Sequence, residues 1–397
     1  MSRPSDDKLR EIVARFPTTR EEDWKYTDLS RARDIADRWL EEQPASAAPP
    51  SPDGTAAITD TIDAAWLVIA DGELRTSQLP DGVTVGTVDD IPLGDSALAE
   101  FNAALVGDGI RIRITGDVGT PIGLLMIDGA ERTSVSQAYV EIDFDDGASA
   151  ELIEYHVSRG QADQYANTFV TFGIGEAASV SHVRIQDRGR QHVQTSETRV
   201  RVGKDARFSS ASFDLGGGLV RNDIDIDIAH PGADVSFDGL YLAGDGQHID
   251  NHTRVDHRVG PATSRQEYRG ILNGRCRCVW NGKAIVHEGA DGTDADQANH
   301  NLLLSEHAEI DAKPELEIYT DDVKCSHGTT VGQLDETALF YLRSRGLDRN
   351  AAIQVLTHAF AAGLVTRVPV PAAREVVSSL IEKRLEDLAV TVEDETS

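Results

Sequence analysis

Cysteine is scarce in this chain: three among 397 residues. A sparse, odd set argues against a disulfide framework. Positive charge is also short, with 38 Lys plus Arg against 67 Asp plus Glu and a formal charge of −29. That balance repels nucleic acid and anionic membranes, so neither is an expected partner. The acid is spread along the chain, which makes it a surface property. Such a surface suits work in high salt, where screening relieves the self-repulsion, a halophile-like character. No run of about 18 apolar residues is present, so no membrane-spanning helix is expected. SRPSDDKLREIV after Met1 has no apolar h-region. No secretory signal is therefore expected, and the predicted location is cytoplasmic. The chain lacks G-x-x-x-x-G-K-S/T, so no P-loop nucleotide site is expected. It also lacks C-x-x-C, H-E-x-x-H and G-x-S-x-G.

What is present divides into three parts. Residues 1–56 combine a helical region with a linker. DDKLREIVARF carries Leu9, Ile12, Val13 and Phe16 at helical spacing, and RARDIADRWLEE carries Ile35, Trp39 and Leu40. Between them lies EEDWKYTDL, residues 21–29, aromatic, charged and irregular. QPASAAPPSPDGTA, residues 43–56, reads as linker. Residues 57–333 alternate apolar and polar positions in short runs such as AYVEIDF, SVSHVRIQD and LEIYTDDV, the mark of strands with one buried face. A small-residue turn followed by such a strand recurs at Gly147, Gly175, Gly203, Gly232, Gly260 and Gly289, steps of 28 or 29 residues. A near-constant step without intervening helices predicts a β-solenoid, each coil burying its inner face on the next. A β-sandwich with evenly spaced hairpins is the competing architecture. Residues 334–397 return to helical period. Asp335 is a candidate N-cap and Gly346 a candidate C′ residue. A second helix follows Asp348 with Ile353, Leu356, Phe360 and Leu364, and a third carries Val376, Val377, Leu380, Ile381, Leu385 and Leu388. TVEDETS at the end reads as frayed. The outer faces of these helices could cap the solenoid end or bind a partner. In a purely structural subunit Leu380→Asp would abolish complex formation.

Few side chains suggest chemistry. LGGGLV, residues 215–220, lacks phosphate-loop spacing and reads as a loose turn. In DIDID, residues 223–227, alternation places Ile224 and Ile226 inside and the aspartates in solvent, against a calcium site. RCRC sets Cys276 and Cys278 on one strand face. Two thiols there could hold a soft metal, but two small buried core residues is the favoured reading. Cys325 and His327 in KCSHGTT also share a face. Thiolate and imidazole are good iron or zinc ligands, yet two ligands make an incomplete site. Asp321, Asp322 and His300 are the nearby candidates to complete it. The bland alternative is a core cysteine beside a surface histidine.

The block TDADQANHNLLLSEHAEIDAKPELEIYTDDVKCSHGTTVGQLDETALFYLRSRGL, residues 293–347, resembles the core signature of the SufB/SufD family of iron–sulfur cluster assembly scaffolds. PELEIYTDDVKCSHGTTVGQLDE has the form found in the SufD branch, and EEDWKYTDL resembles that branch's N-terminal region. SufB chains are usually longer and often carry an N-terminal cysteine motif, whereas all three cysteines here lie beyond residue 275. The resemblance covers about a sixth of the chain. It implies a right-handed parallel β-helix flanked by helical regions and a non-enzymatic subunit. It further implies a SufB-like partner, and a SufC-like ATPase bound through the C-terminal helices. ATP binding and hydrolysis would rearrange the interface where a nascent cluster forms. His327, with Cys325 close by, matches the residues implicated there, and the missing ligands would come from the partner. In isolation a homodimer is allowed. The competing function for a β-helix is a polysaccharide-active enzyme with paired carboxylates. Against it stand the missing signal and aromatics of only 6%, too few to line a sugar groove.

Overall fold

Corners and alternation together set the architecture. In the computed structural model, Gly147 takes φ +69° at the corner after the strand ending in Phe144. That left-handed conformation costs glycine nothing, and it turns the chain into the next strand. The structure describes residues 4–42, 56–77, 79–91, 96–129 and 132–394. The sequence-predicted linker lies, save for Ala56, outside the described residues.

Among the described residues three α-helices precede the strands: α1 (Asp6–Ala14), α2 (Ser30–Glu42) and the short α3 (Ala56–Thr59). The first strands are β1 (Ala65–Ala70), β2 (Glu73–Ser77) and β3 (Val83–Val88), then helix α4 (Ala97–Leu105). The coils begin with β4 (Gly109–Ile114), β5 (Asp117–Asp128), β6 (Ser134–Phe144) and β7 (Ser149–Ser158). They continue with β8 (Gln164–Ile174), β9 (Ser179–Asp187), β10 (His192–Val202) and β11 (Arg207–Asp214). Next come β12 (Leu219–Ile228), β13 (Asp234–Ala243), β14 (His248–His257) and β15 (Thr263–Leu272). The last are β16 (Arg277–Val286), β17 (Thr293–Leu303), β18 (Glu309–Ile318) and β19 (Val323–Gly332). The C-terminal helices are α5 (Glu336–Ser344), α6 (Arg349–Val365) and α7 (Pro371–Asp394).

Odd-numbered strands from β5 to β19 stack in one parallel sheet, even-numbered strands from β4 to β18 in another. Among the described residues only β1–β2 and β3–β4, at the N-terminal end, pair antiparallel. The molecule is therefore a parallel β-solenoid of about seven turns with helices at both chain ends, as the turn repeat predicts. The step is less constant than the glycines suggest. Ser149, Ser179, Arg207, Asp234, Thr263, Asp294 and Lys324 stack in register, at steps of 30, 28, 27, 29, 31 and 30. Strands hold their register, and the corners absorb the differences.

Helices cover both outer faces. Leu9, Ile12 and Val13 of α1, Phe16 just after it, Ile35 and Leu40 of α2 and Phe101 of α4 pack on Tyr165, Val193 and Leu219 of the even-numbered sheet. Full burial of such side chains is worth about 1.5–3 kcal/mol each. Helix α4 falls inside the stretch read as strands; ALAEFNAAL is apolar and Ser96 caps it through Ala99 N (3.1 Å). On the odd-numbered sheet, Val377, Ile381, Leu385 and Leu388 of α7 and Leu364 of α6 pack on Ile153, Tyr155, Val183, Ile185, Phe213 and Leu240. Asp335 caps α5 as predicted, at 2.8 Å, Asp348 caps α6 at 2.8 Å, and Gly346 ends α5 at φ +98°. Helix α7 and the second half of α6 lie along the side of the solenoid rather than across its end. Leu380 packs against the sheet, so Leu380→Asp would disturb packing before any partner. The end predicted as frayed spans residues 391–397; the helix continues through Asp394, correcting that reading for 391–394, and 395–397 lie outside the described residues.

Two further expectations change. LGGGLV is a tight buried corner: a Cβ on Gly216 would stand 2.2 Å from the Arg188 carbonyl oxygen. Of the DIDID aspartates only Asp225 is exposed. Asp223 binds Arg221, and Asp227 binds Arg258.

Several histidines are sealed in. His257 is fully buried, its Nε2 2.8 Å from the Ser264 hydroxyl. Burial lowers its pKa to about 4, against an ordinary value near 6.5. The unfolded chain binds the proton that the fold excludes, so this residue costs stability as pH falls from about 6.5 to about 4. Between pH 7 and 4, His257→Gln is expected to lose about 3 kcal/mol less than wild type in denaturant melts. Equal losses would contradict the assignment.

Candidate functional site

The solenoid ends on β18 and β19, the last strands of their sheets. Among the described residues, no strand pairs with the far edge of either. A strand edge offers unpaired N–H and C=O groups to another chain.

KCSHGTT lies on β19. Ala295, Gln297 and Asn299 of β17 pair with Cys325, His327 and Thr329. Asn299 points inward, since its Nδ2 donates to Tyr241 Oη (3.2 Å) and Tyr241 belongs to the lumen core. With side chains alternating every residue, Cys325, His327 and Thr329 share that inward face. Val323 and Val331 complete the row. Opposite them on β18 stand Ile310, Ala312, Pro314, Leu316 and Ile318, which continue the lumen-facing row of Cys278, Trp280, Gly282, Ala284 and Val286. Elsewhere a further coil covers such a row. Here none does: Cys325 is half-buried and His327 exposed. Burial raises the Cys325 thiol pKa above its ordinary value, opposed by the Ala295 backbone. The thiolate a metal needs therefore forms more readily once metal or a partner's charge is present.

The proposed third ligands do not gather. His300 pairs with Thr330 on the outer face, Nδ1 to Oγ1 at 2.9 Å. An odd-to-even shift along a strand reverses the face, which places it opposite Cys325 and His327. Asp321 and Asp322 sit exposed in the turn before β19. Among the described residues no group of three His, Cys, Asp or Glu side chains could hold a metal ion. Cys276 and Cys278 are 3% and 0% exposed, inside the lumen core. Burial holds the Cys278 thiol far above its usual range, which suits the core reading. No helix among the described residues is long and apolar enough to cross a membrane.

The sequence pattern did not reveal a second exposed feature. Phe340 and Tyr341 on α5 are 75% and 57% exposed, and Leu347 and Val355 of the same α5–α6 hairpin are exposed too. Two adjacent aromatics in ETALFYLRSRG were the available signal. Amphipathic spacing assigns only one of two neighbours to the buried face; Leu339 takes that place.

Residues 125–360 match the family model described as SUF system FeS cluster assembly, SufBD core domain. The chain belongs to the SufBD family. It is 31% identical over 384 residues to the iron–sulfur cluster assembly protein SufD of Escherichia coli, covering 93% of this chain and 89% of the other. It is 28% identical over 377 residues to an iron–sulfur cluster assembly SufBD family protein of Mycobacterium leprae (93% and 90%). With the SufD of Bacillus subtilis it shares 27% identity over 307 residues, 75% and 69% of the two chains. It is thus an iron–sulfur cluster assembly family protein, and the polysaccharide-enzyme alternative is left without support.

Proposed function

We propose that this chain is a non-catalytic scaffold subunit on which iron–sulfur clusters are built. Its open end joins a SufB-like subunit, and its C-terminal region, residues 334–397, docks a SufC-like ATPase. Cys325 and His327 supply part of the ligand set for the nascent cluster, which is cargo. The observation that carries this reading is the uncovered lumen row of β19. A thiol and an imidazole stand on one face, at a strand edge, with no third ligand from this chain among the described residues. A partner strand laid along that edge would bring the rest. In isolation the same edge is open to a second copy of the chain.

The test is the iron and acid-labile sulfide content of the complex, co-purified anaerobically with SufB-like and SufC-like partners. His327→Ala is expected to lower cluster content at least about tenfold, the usual scale for losing one metal ligand or its support. The complex should still form. Equal cluster in wild type and variant would place the site wholly on the partner.

A further inference from the structure

Helix α6 belongs to two cores. Its first half, with Ala352, Ile353 and Leu356, packs on Leu339 and Leu342 of α5 in a small separate cluster. Its second half, with Phe360, Ala361 and Leu364, joins the cluster on the odd-numbered sheet. Where the two halves meet, a charged solenoid side chain adds a polar contact to that packing. Arg269 of β15 donates from Nη1 to the Phe360 carbonyl oxygen at 2.5 Å, and its guanidinium lies 5.3 Å from the Phe360 ring centroid. A mid-helix carbonyl is already engaged within its helix, so this is an added bond to a cation. Gly363 makes room for it: a Cβ there would stand 2.5 Å from Arg269 Nη1. Glu267 fixes the guanidinium through Nε at 2.7 Å and also takes Arg367 Nη2, just past α6, at 2.6 Å. Arg367 Nε reaches Asp238 at 3.5 Å.

The joint leads toward the open end. Arg269 pairs across the sheet with His300 of β17, and His300 with Thr330 of β19. The His300–Thr330 hydrogen bond closes the outer-face row over the strand that carries Cys325 and His327. Helix α6 has 17 residues, about 25 Å at 1.5 Å per residue. Its far half, with α5, carries the exposed Phe340 and Tyr341.

We propose that Arg269 and Gly363 form the joint through which the α5–α6 hairpin acts on the β19 edge. Arg269 is a positioning residue: a partner that moves the hairpin shifts β15, β17 and β19 through it. This inference rests on the ATPase-docking reading above and adds the route by which docking is felt at the site. Packed side chains, ion-pair networks and rigid elements are what carries such coupling, and all three meet at this joint.

The test uses the full complex with its partners. Cys325 is the half-buried thiol of this chain, while Cys276 and Cys278 are buried, so its alkylation can be followed on its own peptide by mass spectrometry. A non-hydrolysable ATP analogue is expected to change the Cys325 alkylation rate in the wild type at least about fivefold, the lower end of typical coupling. Arg269→Gln should reduce that response below about twofold with complex yield and melting temperature retained. Gly363→Ala, which keeps the helix and displaces the guanidinium, should do the same, and Arg269→Lys should restore part of it. A full nucleotide response in both variants overturns the joint, as does a wild-type complex that binds ATPase without any response. Loss of folding in both variants would make the contact structural and also overturn it. A wild-type chain that fails to bind the ATPase at all refutes the docking reading instead, and the joint falls with it.

Discussion

Replacing Arg221 with alanine is expected to cost about 3–5 kcal/mol of stability, the usual penalty for stranding a buried charge. The guanidinium is almost wholly buried. It donates to Asp250 at 2.5 Å, to Asp223 at 2.7 Å and to the Asp23 carbonyl oxygen at 2.9 Å. The Trp24 ring lies 4.4 Å away. Asp250 is equally buried. Burial alone would raise its pKa, but Arg221, His252 and Thr27 outweigh it and hold the carboxyl well below its usual range. Without Arg221 that carboxylate has no full counter-charge. The same change loosens Trp24 and Asp23, which both rest on this arginine, while Thr27 still bonds His248 and Tyr26 still lies under Arg277. Chemical denaturation would give the loss, and limited proteolysis near residues 20–29 would report the loosening. Arg221→Met combined with Asp250→Asn should recover much of the stability, since the pair is removed together. A loss under about 1 kcal/mol for Arg221→Ala would show that water reaches the site and solvates Asp250.

The role of that N-terminal segment shows what the residues disclose and what they conceal. EEDWKYTDL stood out as a motif, but its partners lie some two hundred residues away, on strands whose order only folding reveals. The solenoid was legible because alternation and recurring corners are local. Which alternate residues face inward was less so. In SVSHVRIQD, Val180 faces the lumen, and so must His182 and Arg184, while Val183 and Ile185 lie under α7. Polar side chains are inside there because Glu154 meets His156 and His182 at 2.5 and 3.2 Å, and Arg184 meets Asp214 at 2.9 Å. A helix over the outer face buries both sides of the strand, so polarity no longer marks the interior. For Cys325 and His327 the shared face was readable from their spacing. Their exposure was not, because it depends on β19 being the last strand. His300 was misplaced for a related reason: closeness in the preceding coil does not fix the face.

If the proposed SufC-like ATPase docks on the α5 patch, Phe340→Asp combined with Tyr341→Asp is expected to weaken its binding at least about 100-fold, the scale of losing two aromatic anchors. Both rings point away from the small core of Leu339, Ala352 and Ile353, so folding should be unaffected. Tyr341 already carries the Arg345 guanidinium 5.2 Å from its ring, which makes the patch amphipathic, as interface aromatics commonly are. Isothermal titration of the purified chains would give the affinity, and the melting temperature would confirm the fold. Leu339→Asp is the contrasting change. That side chain is only 4% exposed, so it should lower the melting temperature and disturb binding indirectly. The pairing with a SufB-like subunit separates the two surfaces. If the α5 patch serves the ATPase, the double variant keeps that pairing, and changes along β19 lose it. If the double variant loses SufB-like pairing and keeps the ATPase, the patch belongs to the open end, which lies only a few residues before α5.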